Sequence, residues 1–151
     1  MATAAPKPEM GGLRFALMKL SVRAHAFVYR LTDGRIGGEV GKSPILLLTT
    51  RGRKSGVQRT TPLIFLKTEK GYAITASNAG ADRHPAWYLN LNASPEAEVQ
   101  VLSRRFRVTA QTVDPKQRAE LWPQLAAIYP PYIEYEKRTT RTIPVVELLP
   151  I

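Results

Sequence analysis

The sequence predicts an α+β, mainly β fold: a small antiparallel barrel of six strands, closed or half-open, flanked by helices. Three observations lead there. Six short apolar or alternating runs are separated by turn residues. One helical pattern precedes the strands and another lies between the fifth and sixth, too few crossovers for a parallel doubly wound sheet. Closure removes the edges that such a sheet would otherwise expose.

The 151 residues suit one domain with a sizeable core, and 44% hydrophobic with 23% charged content is globular. No cysteine is present, which excludes disulfides and thiol chemistry; with two histidines, no metal site of the usual zinc ligands is expected. The net charge of +10 asks for an anionic partner. A membrane surface and a polyanionic cofactor qualify. Nucleic acid is not expected, because no helix-turn-helix, zinc-finger or RNP-type pattern occurs. No apolar run approaches the roughly 20 residues of a membrane span, and no signal-peptide pattern opens the chain. The expected location is cytoplasmic.

Residues 1–11 read as a flexible tail and 12–151 as the single domain. Over 12–31, Leu13, Leu17, Leu20, Ala24, Phe27, Val28 and Leu31 recur at helical spacing, interleaved with Arg14, Lys19, Arg23 and Arg30. This amphipathic helix packs its stripe on the domain, closes over a ligand, or lies on anionic lipid at the inner face of the membrane. His25 reads as a packed or surface residue. Asp33-Gly34 and Gly37-Gly38 mark a loop. Strands follow at 44–50, 59–68 and 72–77, the last two joined as a hairpin by Glu69-Lys70-Gly71. Pro85 suits the start of a short helix ending near Leu91.

Strands at 97–102 and 105–113 come next; Phe106 and Val108 alternate with Arg105, Arg107 and Thr109, so one face is wet. Asp114 and Pro115 suit the N-cap and first position of a helix whose apolar residues include Leu121, Trp122, Leu125 and Ile128. Tyr129-Pro130-Pro131 ends it, one more turn over 132–137 brings Tyr132 and Tyr135 to one edge, and a strand at 143–149 completes the set.

The chemistry concentrates between the first two strands. Arg51, Arg53, Lys54 and Arg59 place four cations within nine positions, with Ser55, Gly52 and Gly56 among them. Arginine forks and backbone N–H groups on a glycine turn suit a phosphate-bearing anion. A basic turn on its own is also what a solvated hairpin looks like. The stretch matches neither the Walker loop nor the dinucleotide-binding glycine pattern.

Three runs carry a resemblance: LLLTTRGRKSGVQRTTPLIFL, ASNAGADRHPAWYLNLNASP and LWPQLAAIYPPYIEYEKRTTRTIPVVEL. In order and spacing they resemble the deazaflavin-dependent nitroreductases, split β-barrel reductases of mycobacteria and related actinobacteria that use coenzyme F420. The resemblance spans about 37–149. It implies that Arg53, Lys54 and Arg59, with Ser55 and Gly56, hold the phosphate and oligoglutamate tail. It implies that Pro62, Leu63 and Ile64 line the deazaflavin ring, that Ser77, Asn78, Ala79, Gly80 and Ala81 form a coenzyme-binding loop, and that Pro85, Ala86 and Trp87, with Tyr88, flank the site. Tyr129, Tyr132 and Tyr135 match the catalytic pocket, with Tyr132 in substrate orientation or protonation.

The implied activity is hydride transfer from reduced F420 to a quinone, an activated enone or a nitroaromatic. Alternatives are a non-catalytic F420 carrier and an FMN-dependent split-barrel reductase. A homodimer is a further implication. Two positions depart from the nitroimidazole-activating pattern. Ile64 stands where that pattern has tyrosine, implying a differently shaped acceptor pocket, and Asn78 stands where it has lysine, removing a cation from the tail site.

Overall fold

The computed structural model describes residues 12–151; the tail expected over 1–11 lies outside them. In chain order the strands are β1 (Glu39–Val40), β2 (Ser43–Arg51), β3 (Gln58–Ile64), β4 (Leu66–Lys67), β5 (Tyr72–Thr75), β6 (Glu96–Val101), β7 (Arg104–Thr112) and β8 (Val145–Pro150). The helices are α1 (Gly12–Thr32), α2 (Ala86–Ala93), α3 (Pro115–Ile128) and α4 (Pro131–Arg138), with a 3-10 turn at Asn78–Gly80. All pairings are antiparallel, in the order β1-β2-β6-β7-β8-β5-β4, with β3 also on β2. This is a split β-barrel, as the strand pattern predicts.

The second predicted strand is divided. β3 pairs with β2 over its whole length, and only Leu66 and Lys67 pair with β5. The chain bends at Phe65, whose N–H donates to Pro44 O (3.1 Å) and whose ring meets Tyr72 edge-on at 5.4 Å. One residue thus joins the two ends of the sheet and curls it. β1, two residues long, is too short to leave a sequence pattern.

Inside the barrel lie Leu46, Leu48, Tyr72, Ile74, Val99, Val108, Val146 and Leu148, closed at one end by Trp87, Tyr88 and Leu91 of α2. The alternate residues of β2, Ile45 and Leu47, face outward beneath Ala26 and Tyr29 of α1. Both faces of β2 are therefore buried, which is why it reads as an unbroken apolar run. On the opposite flank Ala73 and Val145 sit beneath Leu125 of α3 and Tyr132 of α4. Asp114 caps α3 as its sequence predicts, accepting from Gln117 N at 2.8 Å.

The first helix reverses one expectation. Its sequence stripe does not pack on the domain: Leu13, Leu17, Leu20, Phe27 and Leu31 are all exposed, Phe27 at 66%. At about 100° per residue these five share one narrow face. The buried side carries Val22, His25, Ala26 and Tyr29 instead, because Ala26 allows close approach to the sheet and Tyr29 supplies the anchor. The Tyr29 hydroxyl donates to Ile45 O (3.0 Å) and accepts from Leu102 N (2.8 Å). Gly34 makes room for it: a Cβ there would come within 3.1 Å of the Tyr29 ring. Among the described residues no helix is long and apolar enough to cross a membrane.

Tyr29→Phe keeps the ring and leaves two buried backbone groups without a partner. It costs about 1–3 kcal/mol and lowers Tm by roughly 3–8 °C, read by thermal melting of the purified variant.

Candidate active site

The basic turn predicted from sequence is the tip of the β2–β3 hairpin. Gly52 N donates to Val57 O and Gly56 N to Gly52 O, each at 2.8 Å, so the tip folds on its own backbone. It is fastened to α2 by a residue that sequence reasoning did not single out. Asn90, 4% exposed, accepts at Oδ1 from Arg53 N (3.1 Å) and Arg53 Nη1 (3.2 Å), while its Nδ2 donates to Thr50 Oγ1 (3.1 Å). Lys54, Ser55, Gly56 and Arg59 remain exposed. Arg30 of α1 adds a cation beside them, donating to Thr60 Oγ1 at 2.7 Å. No signal in the helix pattern could have placed it there.

The other end of β3, about 20 Å away for six residues of extended chain, forms the floor of a cleft. Its volume is about 300 Å³. Pro62, Leu63 and Ile64 lie on one side, Thr75, Ser77 and Ala79 on another, and Tyr129, Tyr132 and Tyr135 opposite Val22 and His25 of α1. The predicted ring-lining residues, part of the predicted loop and the predicted tyrosines thus meet in one place. His25, read from sequence as a packed or surface residue, is a wall of this cleft, and its Nε2–H donates to Gly37 O at 2.7 Å.

Pro130 and Pro131 end α3 and start α4, which aligns the three tyrosines at i, i+3 and i+6 on consecutive turns. Ring centroids of Tyr129 and Tyr132 are 4.9 Å apart, and Tyr135 lies 6.2 Å from each. The Tyr135 and Tyr129 hydroxyls are 3.4 Å apart. Tyr135 is pushed up to about 12, first by the hydrogen bond with Tyr129 and then by burial. Burial also raises Tyr132, against the opposing pull of the nearby Thr75 hydroxyl. Tyr132 and Tyr135 are thus neutral over the physiological range.

The loop after β5 is held by Arg141, also absent from the sequence reading. Its Nη2 donates to Ala76 O (3.1 Å) and Ser77 O (2.9 Å), its Nε to Ala81 O (2.9 Å), and its Nη1 to His84 Nδ1 (3.1 Å). Arginine offers only donors, so His84 accepts and carries its own proton on Nε2. Partial burial and the Arg141 charge hold His84 below the usual histidine range. Within the loop Asn78, Ala79 and Gly80 all have positive φ (46°, 52° and 79°), a strain of order 1 kcal/mol or more per non-glycine residue. Gly80 is required there: a Cβ would lie 2.8 Å from Tyr135 O, so the loop packs flush on α4.

Three predicted residues sit elsewhere. Pro85 precedes α2 and Ala86 is exposed at its first position. Trp87, expected beside the coenzyme, is 6% exposed, and its ring enters the barrel core edge-on to Tyr88. Its apolar bulk closes the barrel end better than it could flank a solvent-open cleft. A larger cavity, about 590 Å³, opens at the Gly34–Gly41 loop, but among the described residues its ionisable lining is Arg35 and Glu39, and no tyrosine lines it. The chemistry belongs to the smaller cleft.

Arg141→Lys removes the fork. Amide hydrogen exchange should speed up across 76–84 by about tenfold or more, with the β2 and β6 amides unchanged.

The family model of the F420H2-dependent quinone reductases matches residues 21–150. The chain is 43% identical over 131 residues to an F420H2-dependent quinone reductase of Mycobacterium tuberculosis strain H37Rv, covering 84% of this chain and 88% of that protein. Among solved structures, an F420-H2 dependent reductase superposes with a TM-score of 0.63 at 40% identity, over 70% of this chain and 93% of that one. Another, described as a domain-swapped dimer, gives 0.65 at 35% identity over 90% and 96%. With the model matching all but the first 20 residues and the last, the chain belongs to the F420H2-dependent quinone reductase family.

Proposed function

We propose that this protein transfers a hydride from reduced F420 to an electron-poor acceptor, a quinone before an enone or a nitroaromatic. One observation carries the reading: β3 joins a cationic tip to a phenol-lined apolar cleft. The donor set fits the coenzyme. Arg53, Lys54, Ser55 and Arg59 suit a phosphodiester followed by carboxylates, and Pro62, Leu63 and Ile64 suit the face of a flat ring. When bound, the reduced deazaflavin supplies the hydride.

The chain's own work is placement. The tip holds the anionic tail, fixing how far the ring end enters the cleft. The apolar floor and the loop at Ser77 and Ala79 orient reactants and keep water out. Negative charge develops on the oxygen of a carbonyl acceptor. Tyr132, neutral and buried, donates a hydrogen bond there, with Tyr129 beside it. Ile64 leaves this end of β3 aliphatic, which suits a flat quinone. Ser77, Asn78, Gly80 and Ala81 contribute loop backbone rather than charge.

The outer face of α1 extends the reading. Its exposed leucines and Phe27, flanked by Lys19, Arg23 and Arg30, suit an anionic membrane surface, where lipid-soluble quinones are concentrated. The inner face of the same helix lines the cleft.

Fluorescence titration of the purified protein with F420 and with FMN tests the coenzyme. Lys54→Ala and Arg59→Ala should each weaken F420 binding about tenfold, the ratio to wild type shrinking as salt is raised. Unchanged affinity would remove the tail site from the hairpin, and preference for FMN would overturn the coenzyme. Turnover with menadione separates an enzyme from a carrier.

Flotation with phosphatidylglycerol vesicles tests the helix. The wild type should float, and a Leu17→Glu, Phe27→Glu double variant should not, its F420 binding retained. A wild type that stays in solution at low salt would sink the membrane reading. A dimer dissolved by the same pair of substitutions would assign the face to a second copy.

A further inference from the structure

Thr75 is a cleft residue whose hydroxyl the reading above leaves unused. It ends β5, and strand alternation sets its direction: Tyr72 and Ile74 enter the barrel, while Ala73 turns outward to Leu125 and Tyr132. Thr75 follows Ala73 on that outward face and lines the cleft. It is 5% exposed, and its Oγ1 is sealed from solvent with no hydrogen-bond partner at standard distance. A buried hydroxyl left this way is destabilising. Apolar valine has the same shape and would fill the position without that cost.

We propose that Thr75 is a positioning residue for hydride acceptance: its hydroxyl donates to the Tyr132 oxygen and turns the Tyr132 proton toward the acceptor. The contact is long in the free protein and tightens when the acceptor is bound, a common behaviour of catalytic hydrogen bonds. Thr75 is too enclosed to reach the acceptor itself. A chain from Thr75 to Tyr132 to the acceptor oxygen strengthens as negative charge grows at its end, because each hydrogen bond polarises the next. Among the described residues, the other polar groups near Tyr132 have contacts of their own. The Tyr135 and Tyr129 hydroxyls face each other at 3.4 Å, Arg138 lies over the Tyr135 ring at 5.5 Å, and His25 across the cleft is tied to Gly37 O. The lowering effect of Thr75 on the Tyr132 phenol agrees with a donor in this place.

The inference rests on the reductase reading above, and the test separates the two. Thr75→Val removes the hydroxyl and keeps the shape. With F420H2 and menadione, kcat and kcat/KM should fall together by about tenfold, with F420 affinity unchanged and Tm equal to or above wild type. In ring-labelled tyrosine NMR of the coenzyme-free protein, Tyr132, identified with Tyr132→Phe, should ionise at higher pH in the variant. Thr75→Ser should restore both rate and titration.

Unchanged turnover in Thr75→Val would overturn the role, as would a loss of Tm or of F420 binding that accounts for the lower rate. Failure of serine to rescue would also overturn it. Should the valine variant not fold, Thr75→Ala carries the same readings. A wild type that binds no F420 would sink the reductase reading instead, while the NMR titration would still report on Thr75 and Tyr132.

Discussion

The segment that begins at Gln58 belongs to both ends of the sheet. It pairs with β2 up to Ile64, turns at Phe65, and pairs with β5 from Leu66. A sheet whose ends are one residue apart in sequence has to curl, and Phe65 fills the space that curling creates, with Tyr72 against its ring. The cationic tip lies where this segment starts and the cleft floor just before its bend. The distance between them is set by one extended strand, not by two elements free to shift. The constraint that closes the barrel therefore also spaces the two halves of the site.

Around that strand the site is assembled from outward-facing residues. The barrel interior is packed with aliphatic and aromatic side chains. Function is left to the outer wall, where α1 covers one flank and α3 with α4 the other. The two proline residues between α3 and α4 reset the chain direction there, so that successive turns of α4 deliver tyrosines into the gap. Polar stitching is concentrated where regular structure is missing: Asn90 on the hairpin tip and Arg141 on the strained loop. Both use side-chain groups to satisfy backbone or turn atoms that no strand partner reaches.

Much of this was legible in the chain. The β2 run, the alternation in β7, the Asp114 cap and the break at Tyr129-Pro130-Pro131 each obey a local rule and were placed within a few residues. The cations of the hairpin stand out by residue type and local spacing, whereas the pocket role of the three tyrosines came from the family resemblance, spacing placing only Tyr132 and Tyr135 at one edge. Four features were not legible. Asn90 and Arg141 act across 37 and about 60 residues of sequence, and nothing in their neighbourhoods marks them. Trp87 sits in a motif that suggests a site, yet its bulk belongs to the core. The apolar stripe of α1 follows the rule for burial, and the structure turns it outward because Ala26 and Tyr29 make the better contact with the sheet. Periodicity shows that a helix has two unlike faces; it does not say which one the domain will take.

That orientation gives α1 a second property. It is a partition one helix thick, with Val22 and His25 on the cleft side and Leu17 and Phe27 on the outer side. Any partner that settles on the outer face and shifts the helix also moves a wall of the cleft. Thermodynamic reciprocity then requires that the cleft's occupant change the helix's hold on that partner by the same factor. Attachment and occupancy become a single linked equilibrium, so a filled cleft would be felt outside the protein.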